Sequence, residues 1–87
     1  MPIRTDRVEV YGRPGCSWCL KAVAHLKDFN VPHKYLDITD PGYRADMFAR
    51  NPQAKTVPQI FVGRRLIGGH DDLVAIPLNQ LQQMIGE

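Results

Sequence analysis

The chain has 87 residues, 44% hydrophobic and 23% charged, which is enough for one small domain with a modest core and leaves no room for a second. That balance excludes a disordered or fibrous protein. Eleven Lys and Arg stand against nine Asp and Glu, a net charge of +2; with no basic block and no membrane-length apolar run, neither nucleic acid nor a bilayer is an expected partner.

The N-terminal MPIRTDRVEV turns polar at once and lacks the apolar stretch and cleavage site of a signal peptide, which predicts a cytoplasmic protein. Residues 7–12, RVEVYG, alternate Val8 and Val10 with charged neighbours and stop at Gly12, a strand leading into a loop over residues 11–15. From Cys16 onward Cys19, Ala22, Val23, Leu26 and Phe29 fall on one helical face, and Asn30, Val31 and Pro32 end the helix. Residues 33–38, HKYLDI, read as a second strand, so the helix joins two parallel strands.

Asp40 and Pro41 are the N-cap and first-turn signals of a second helix, running through Tyr43, Met47 and Phe48 toward Arg50. VPQIFV (57–62) and RLIGG (65–69) flank the two-residue connection Gly63-Arg64, an antiparallel hairpin. Asp71 or Asp72 can cap a short helix over LVAI; Pro77 interrupts, and Leu78, Leu81 and Ile85 give a last helix. This order predicts an α/β fold with a four-stranded mixed sheet and helices packed on it.

Both cysteines lie two residues apart at the start of the first helix. There, unpaired backbone N–H groups and the helix dipole favour a thiolate, so Cys16 is the expected nucleophile, with Arg13 able to add to the effect. Cys19 opens the apolar stripe and should face inward, the placement of a resolving thiol. A structural staple is rare in the cytoplasm, and so short a loop constrains the unfolded chain little. Zinc would need two further ligands, and His25, His33 and His70 do not form a second cluster. A CxxC beside a βαβ pattern points to redox chemistry.

RPGCSWC, TVPQIFVG and LIGGHDDL, in this order, resemble the three signature segments of the glutaredoxins, of the dithiol type. Thioredoxins are usually longer and carry Gly and Pro between the cysteines. The resemblance implies a thioredoxin-like fold spanning residues 1–87 as a single domain. It also implies a glutathione-dependent thiol-disulfide oxidoreductase that reduces glutathione mixed disulfides and protein disulfides. Such a protein works as a monomer with glutathione as reductant and no tightly bound cofactor.

Carried onto this chain, the resemblance makes Pro58 a cis-proline beside Cys16, with the Val57 backbone pairing the cysteinyl part of glutathione; a cis-proline fixes a sharp turn and presents backbone groups. Glutathione carries two carboxylates and an ammonium, and each needs an answering charge. Arg13 and Lys55 are matched to the glycyl carboxylate, with Arg44 or Arg50 as helpers. Gly69 lets the substrate approach the backbone, the N–H groups of His70 and Asp71 meet the γ-glutamyl carboxylate, and Asp71 or Asp72 holds the ammonium unless it serves only as a helix cap. Thr56 supports the turn, Trp18 gives an aromatic rim, Tyr11 is either a site hydroxyl or core, and the His70 side chain is read as surface.

Ser17 stands where the commonest members have Pro. In this family a small residue there is associated with dimers holding a [2Fe-2S] cluster on the first cysteine, here Cys16, and on glutathione. Cluster binding, as scaffold, carrier or sensor, is therefore the alternative function.

Overall fold

The computed structural model describes residues 7–86. Residues 1–6 lie outside them, so the polar N-terminus read above has no structural counterpart here. The elements run β1 (Val8–Gly12), α1 (Ser17–Asp28), β2 (His33–Asp37), α2 (Pro41–Arg50), β3 (Gln59–Val62), β4 (Arg65–Gly68), α3 (His70–Val74) and α4 (Leu78–Gly86). They build a mixed sheet in the order β2-β1-β3-β4. β1 pairs with β2 in parallel and with β3 antiparallel, and β3 and β4 form the expected hairpin with an irregularity between Ile60 and Phe61.

Alternation along the strands divides the apolar residues between two cores. Val8, Val10, Ile60 and Val62 point to one face, where they meet Ala22, Leu26, Leu73, Leu81 and Met84 of α1, α3 and α4. Tyr11 and Phe61 point to the other, where they meet Leu36, Met47 and Ala54. Among the described helices α2 alone contributes to this second core, with Met47 as its one buried residue.

Local chemistry sets the boundaries and accounts for the differences from expectation. Cys16 is the N-cap of α1, not its first residue, and Cys19 N–H donates to its sulfur at 3.2 Å. Asn30, in the left-handed region at φ 55°, stops the helix. Phe29 therefore falls at the C-cap, off the core stripe, and lies half exposed with its ring edge-on to His25. Val31 occupies the core position instead. β3 begins at Gln59, two residues later than expected, because Pro58 has no N–H to give a ladder.

The first turn of α3 departs most from the sequence reading. Gly69 is the N-cap, and Asp72, at the third helical position, accepts from Gly69 N–H at 2.9 Å. The capping carboxylate thus reaches back from inside the helix instead of preceding it. Gly68, at φ 120°, is the glycine the junction demands, since a Cβ there would run into the Asp72 carboxylate. Gly69 has an extended backbone, and a Cβ there would make only ordinary contact with the Pro58 carbonyl oxygen, so the fold itself does not require glycine at this position.

Candidate active site

β1 delivers the chain to a loop that crosses the end of the sheet. Tyr35 of β2 lays its ring over Gly12, where any Cβ would overlap it, and donates its hydroxyl to the Arg13 carbonyl at 3.1 Å. Desolvation, then the neighbouring Asp37 charge, raise the Tyr35 pKa. Gly15, at φ 75°, turns the loop into α1.

Cys16 and Cys19 are joined by a disulfide at the start of α1. Cys16 keeps 8% of its surface exposed and Cys19 none, so an outside thiol or disulfide can reach only the first sulfur. The Cys19 N–H aimed at Cys16 Sγ is placed to stabilise a thiolate once the pair is reduced. Cys16 Sγ also lies 3.8 Å from the Val57 carbonyl oxygen. The Val57–Pro58 peptide bond is cis, so the turn before β3 stands against the reactive sulfur.

Two depressions meet at this turn and share Thr56 and Val57. One, of about 330 Å³, is lined by Trp18, Thr56, Val57, Pro58, Gly69, His70, Asp71 and Asp72. The other, of about 150 Å³, is lined by Arg13, Arg44 and Lys55 together with Ile38, Met47, Phe48, Ala54, Thr56 and Val57. These two depressions form one groove beside Cys16, with three cations on one side of Val57 and the start of α3 on the other; of the residues matched by resemblance, Arg50 and Tyr11 line neither part.

Several side chains have other partners than expected. Arg50 is neither a groove cation nor a solvated surface charge. Its guanidinium donates to Glu9 Oε1 at 2.8 Å, Tyr11 hydroxyl at 3.0 Å and the Gly63 carbonyl at 2.7 Å, and stacks 4.0 Å from the Phe61 ring centroid. Burial opposes its charge, but these hydrogen bonds and charges outweigh burial and raise its pKa. Tyr11 is fully buried, a core residue of that network. The His70 ring is more than surface: it lies 5.2 Å from the Trp18 ring, and Nδ1 is 3.0 Å from Asp71 Oδ1. Trp18 also carries the Lys21 ammonium, 4.3 Å from the ring centroid. Asp72 uses one oxygen as a cap, leaving Asp71 as the freer carboxylate.

Sequence reasoning missed Gln59, whose side chain donates to the Thr56 carbonyl at 2.7 Å. Its signal was a polar residue inside the apolar run VPQIFV. Among the described residues no group of three or more His, Cys, Asp or Glu stands together to hold a metal ion.

A CxxC pair at a helix N-terminus, facing a cis-proline turn on a thioredoxin-like fold, defines a thiol-disulfide oxidoreductase. The glutaredoxin family model matches residues 8–67. Glutaredoxin-1 of Gallus gallus is 34% identical over 74 residues, covering 82% of this chain and 73% of that protein. The solution structure of a Brucella melitensis glutaredoxin is 35% identical, with a TM-score of 0.71 over 94% of this chain and 92% of that one. The crystal structure of a buckwheat glutaredoxin–glutathione complex shares the fold, with a TM-score of 0.74 at 18% identity over 97% of this chain and 80% of that one. The chain belongs to the glutaredoxin family, and its activity is thiol-disulfide exchange.

Proposed function

We propose that the protein is a glutathione-dependent reductase of glutathione mixed disulfides and protein disulfides, acting as a monomer in the cytoplasm. One observation carries this reading: the charge layout about Val57. Arg13, Arg44 and Lys55 gather on one side, and on the other the first N–H groups of α3 lie beside the Asp71 carboxylate. Glutathione has the complementary order, a glycyl carboxylate at one end and a carboxylate with an ammonium at the other. The glutathione seen in the buckwheat complex supports the same reading by fold.

In the first step the Cys16 thiolate attacks the glutathionyl sulfur of the substrate. A Cys16–glutathione disulfide forms, the substrate's S–S bond breaks, and the substrate leaves as a thiolate that takes a proton from water. A second glutathione thiolate then attacks the glutathionyl sulfur on Cys16, releasing oxidised glutathione and restoring the Cys16 thiolate. On protein disulfides Cys19 resolves the mixed disulfide instead, which leaves the Cys16–Cys19 disulfide present in this structure.

The cluster alternative would draw on Cys16 from each of two chains and on two glutathiones. It stands on Ser17, with no second observation in its favour.

The deciding test is reduction of a glutathionylated peptide, coupled to NADPH oxidation either through glutathione and its reductase or through thioredoxin reductase. Turnover with the glutathione system alone is the expected result. Turnover with thioredoxin reductase alone, or none, overturns the reading.

A further inference from the structure

Tyrosine and cysteine aside, Gln59 is the one polar side chain buried among the described residues, 7% exposed in a strand whose other members are Ile60, Phe61 and Val62. An apolar residue there would fill the core without needing hydrogen-bond partners, whereas a buried amide must have both ends matched. Here both are. Nε2 donates to the Thr56 carbonyl at 2.7 Å, and Oε1 accepts from Asn51 Nδ2 at 3.1 Å.

The direction of this relay is not free to reverse. Asn51 Oδ1 accepts from the Gln53 backbone N–H at 3.3 Å, a group that can only donate. That fixes the Asn51 amide with Nδ2 toward Gln59, and so the Gln59 amide with Nε2 toward Thr56. Asn51 is itself the C-cap of α2, its N–H donating to the Met47 carbonyl at 2.8 Å. The relay therefore runs from the end of one helix, through the core edge, to the turn beside Cys16.

The Thr56 carbonyl and the Val57 N–H belong to one planar peptide unit and, in a trans peptide, point to opposite sides. Holding the carbonyl inward turns the N–H outward, toward the groove that Thr56 and Val57 line. We propose that Gln59, oriented by Asn51, is a positioning residue for substrate recognition, setting the Thr56–Val57 peptide plane so that the Val57 backbone faces the cysteinyl part of a bound glutathionyl group. The inference rests on the glutathione reading above.

Three variants test it: Gln59→Met, which keeps bulk and loses both bonds; Asn51→Asp, which presents an acceptor, draws the Gln59 NH2 to itself and turns Gln59 Oε1 against the Thr56 carbonyl; and the double variant. KM for a glutathionylated peptide should rise about tenfold in each single variant, with kcat within about twofold. The double variant should be no worse than Gln59→Met, because both changes remove the same bond. Single-turnover reduction of a disulfide that contains no glutathione, by prereduced protein, should be unchanged. Asn51→Asp conserves volume at a helix end and keeps the test open should Gln59→Met fold poorly. An unaltered KM, or a KM and single-turnover rate that worsen together, overturns the inference while wild-type saturation leaves the glutathione reading intact. Wild-type protein that fails to saturate with the peptide overturns both.

Discussion

Cys16 and Cys19 share a motif but not an environment. One keeps a small opening to solvent and has a backbone N–H aimed at its sulfur; the other is sealed in the core. Cys16→Ser should abolish turnover, whereas Cys19→Ser should keep much of the activity on a glutathionylated peptide and lose reduction of protein disulfides. A dead Cys19→Ser enzyme on the glutathionylated peptide would contradict that division. Arg13→Glu reverses a groove charge and should raise KM for the glutathionylated peptide by about tenfold; an unchanged KM removes Arg13 from the site. Tyr35 brings a pH dependence. Its pKa is raised in the folded state, so the hold of its hydroxyl on the Arg13 carbonyl is complete below the ordinary phenol range, about pH 10, and is lost as pH climbs through the raised value. Spectrophotometric titration should show the late ionisation of Tyr35, and Tyr35→Phe should remove it.

At the scale of elements, α2 depends on few attachments. Met47 is its one buried residue, and the Arg50 fork ties its C-terminal end to β1, to the Phe61 ring and to the β3–β4 turn. Arg50→Met should lower the free energy of unfolding by about 2 kcal/mol, read by denaturant titration. Arg50→Lys should recover part of the loss, since one ammonium cannot reproduce the fork. At the junction of β4 and α3, Gly68→Ala forces a side chain into the left-handed backbone and against the Asp72 carboxylate. A loss of about 1–3 kcal/mol follows, while Gly69→Ala should cost less.

These elements also show what the sequence could reveal. The strand alternation, the Asp40-Pro41 helix start and the Gly63-Arg64 turn are local signals, and the structure has each where the pattern puts it. Arg50 was not legible because its partners Glu9, Tyr11 and Gly63 are distant in sequence; Gly68 and Gln59 have near partners, Asp72 and Thr56, but only the folded backbone brings those groups together. Nothing local distinguishes an arginine that will meet Glu9 and Gly63 from one that will meet solvent. The short helix α3 was misread at its first turn for a related reason: Asp71 and Asp72 are both good caps by composition, and only the backbone shows that Asp72 reaches back to Gly69.

Among the described residues the molecule has two cores of unequal cover, three helices on one face of the sheet and one on the other. The groove draws from both: α1 and α3 contribute Trp18, His70 and Asp71, and α2 contributes Arg44. The lightly anchored helix thus carries part of the cationic side. Native-state hydrogen exchange should find α2 amides opening at lower free energy than those of β1 and β3, and Arg50→Met should widen the gap. Equal protection on both faces would show that the cores act as one cooperative unit.

Trp18 is the only tryptophan in the chain, and it lies between the two cysteines with its ring against His70. Its emission therefore comes from the groove and from nowhere else. A nearby disulfide quenches indole fluorescence, so reduction of the pair should brighten the protein, and a ligand that parts Trp18 from His70 should shift its spectrum. The oxidation state and the occupancy of the site can thus be followed together in a cuvette, in real time, with no label attached.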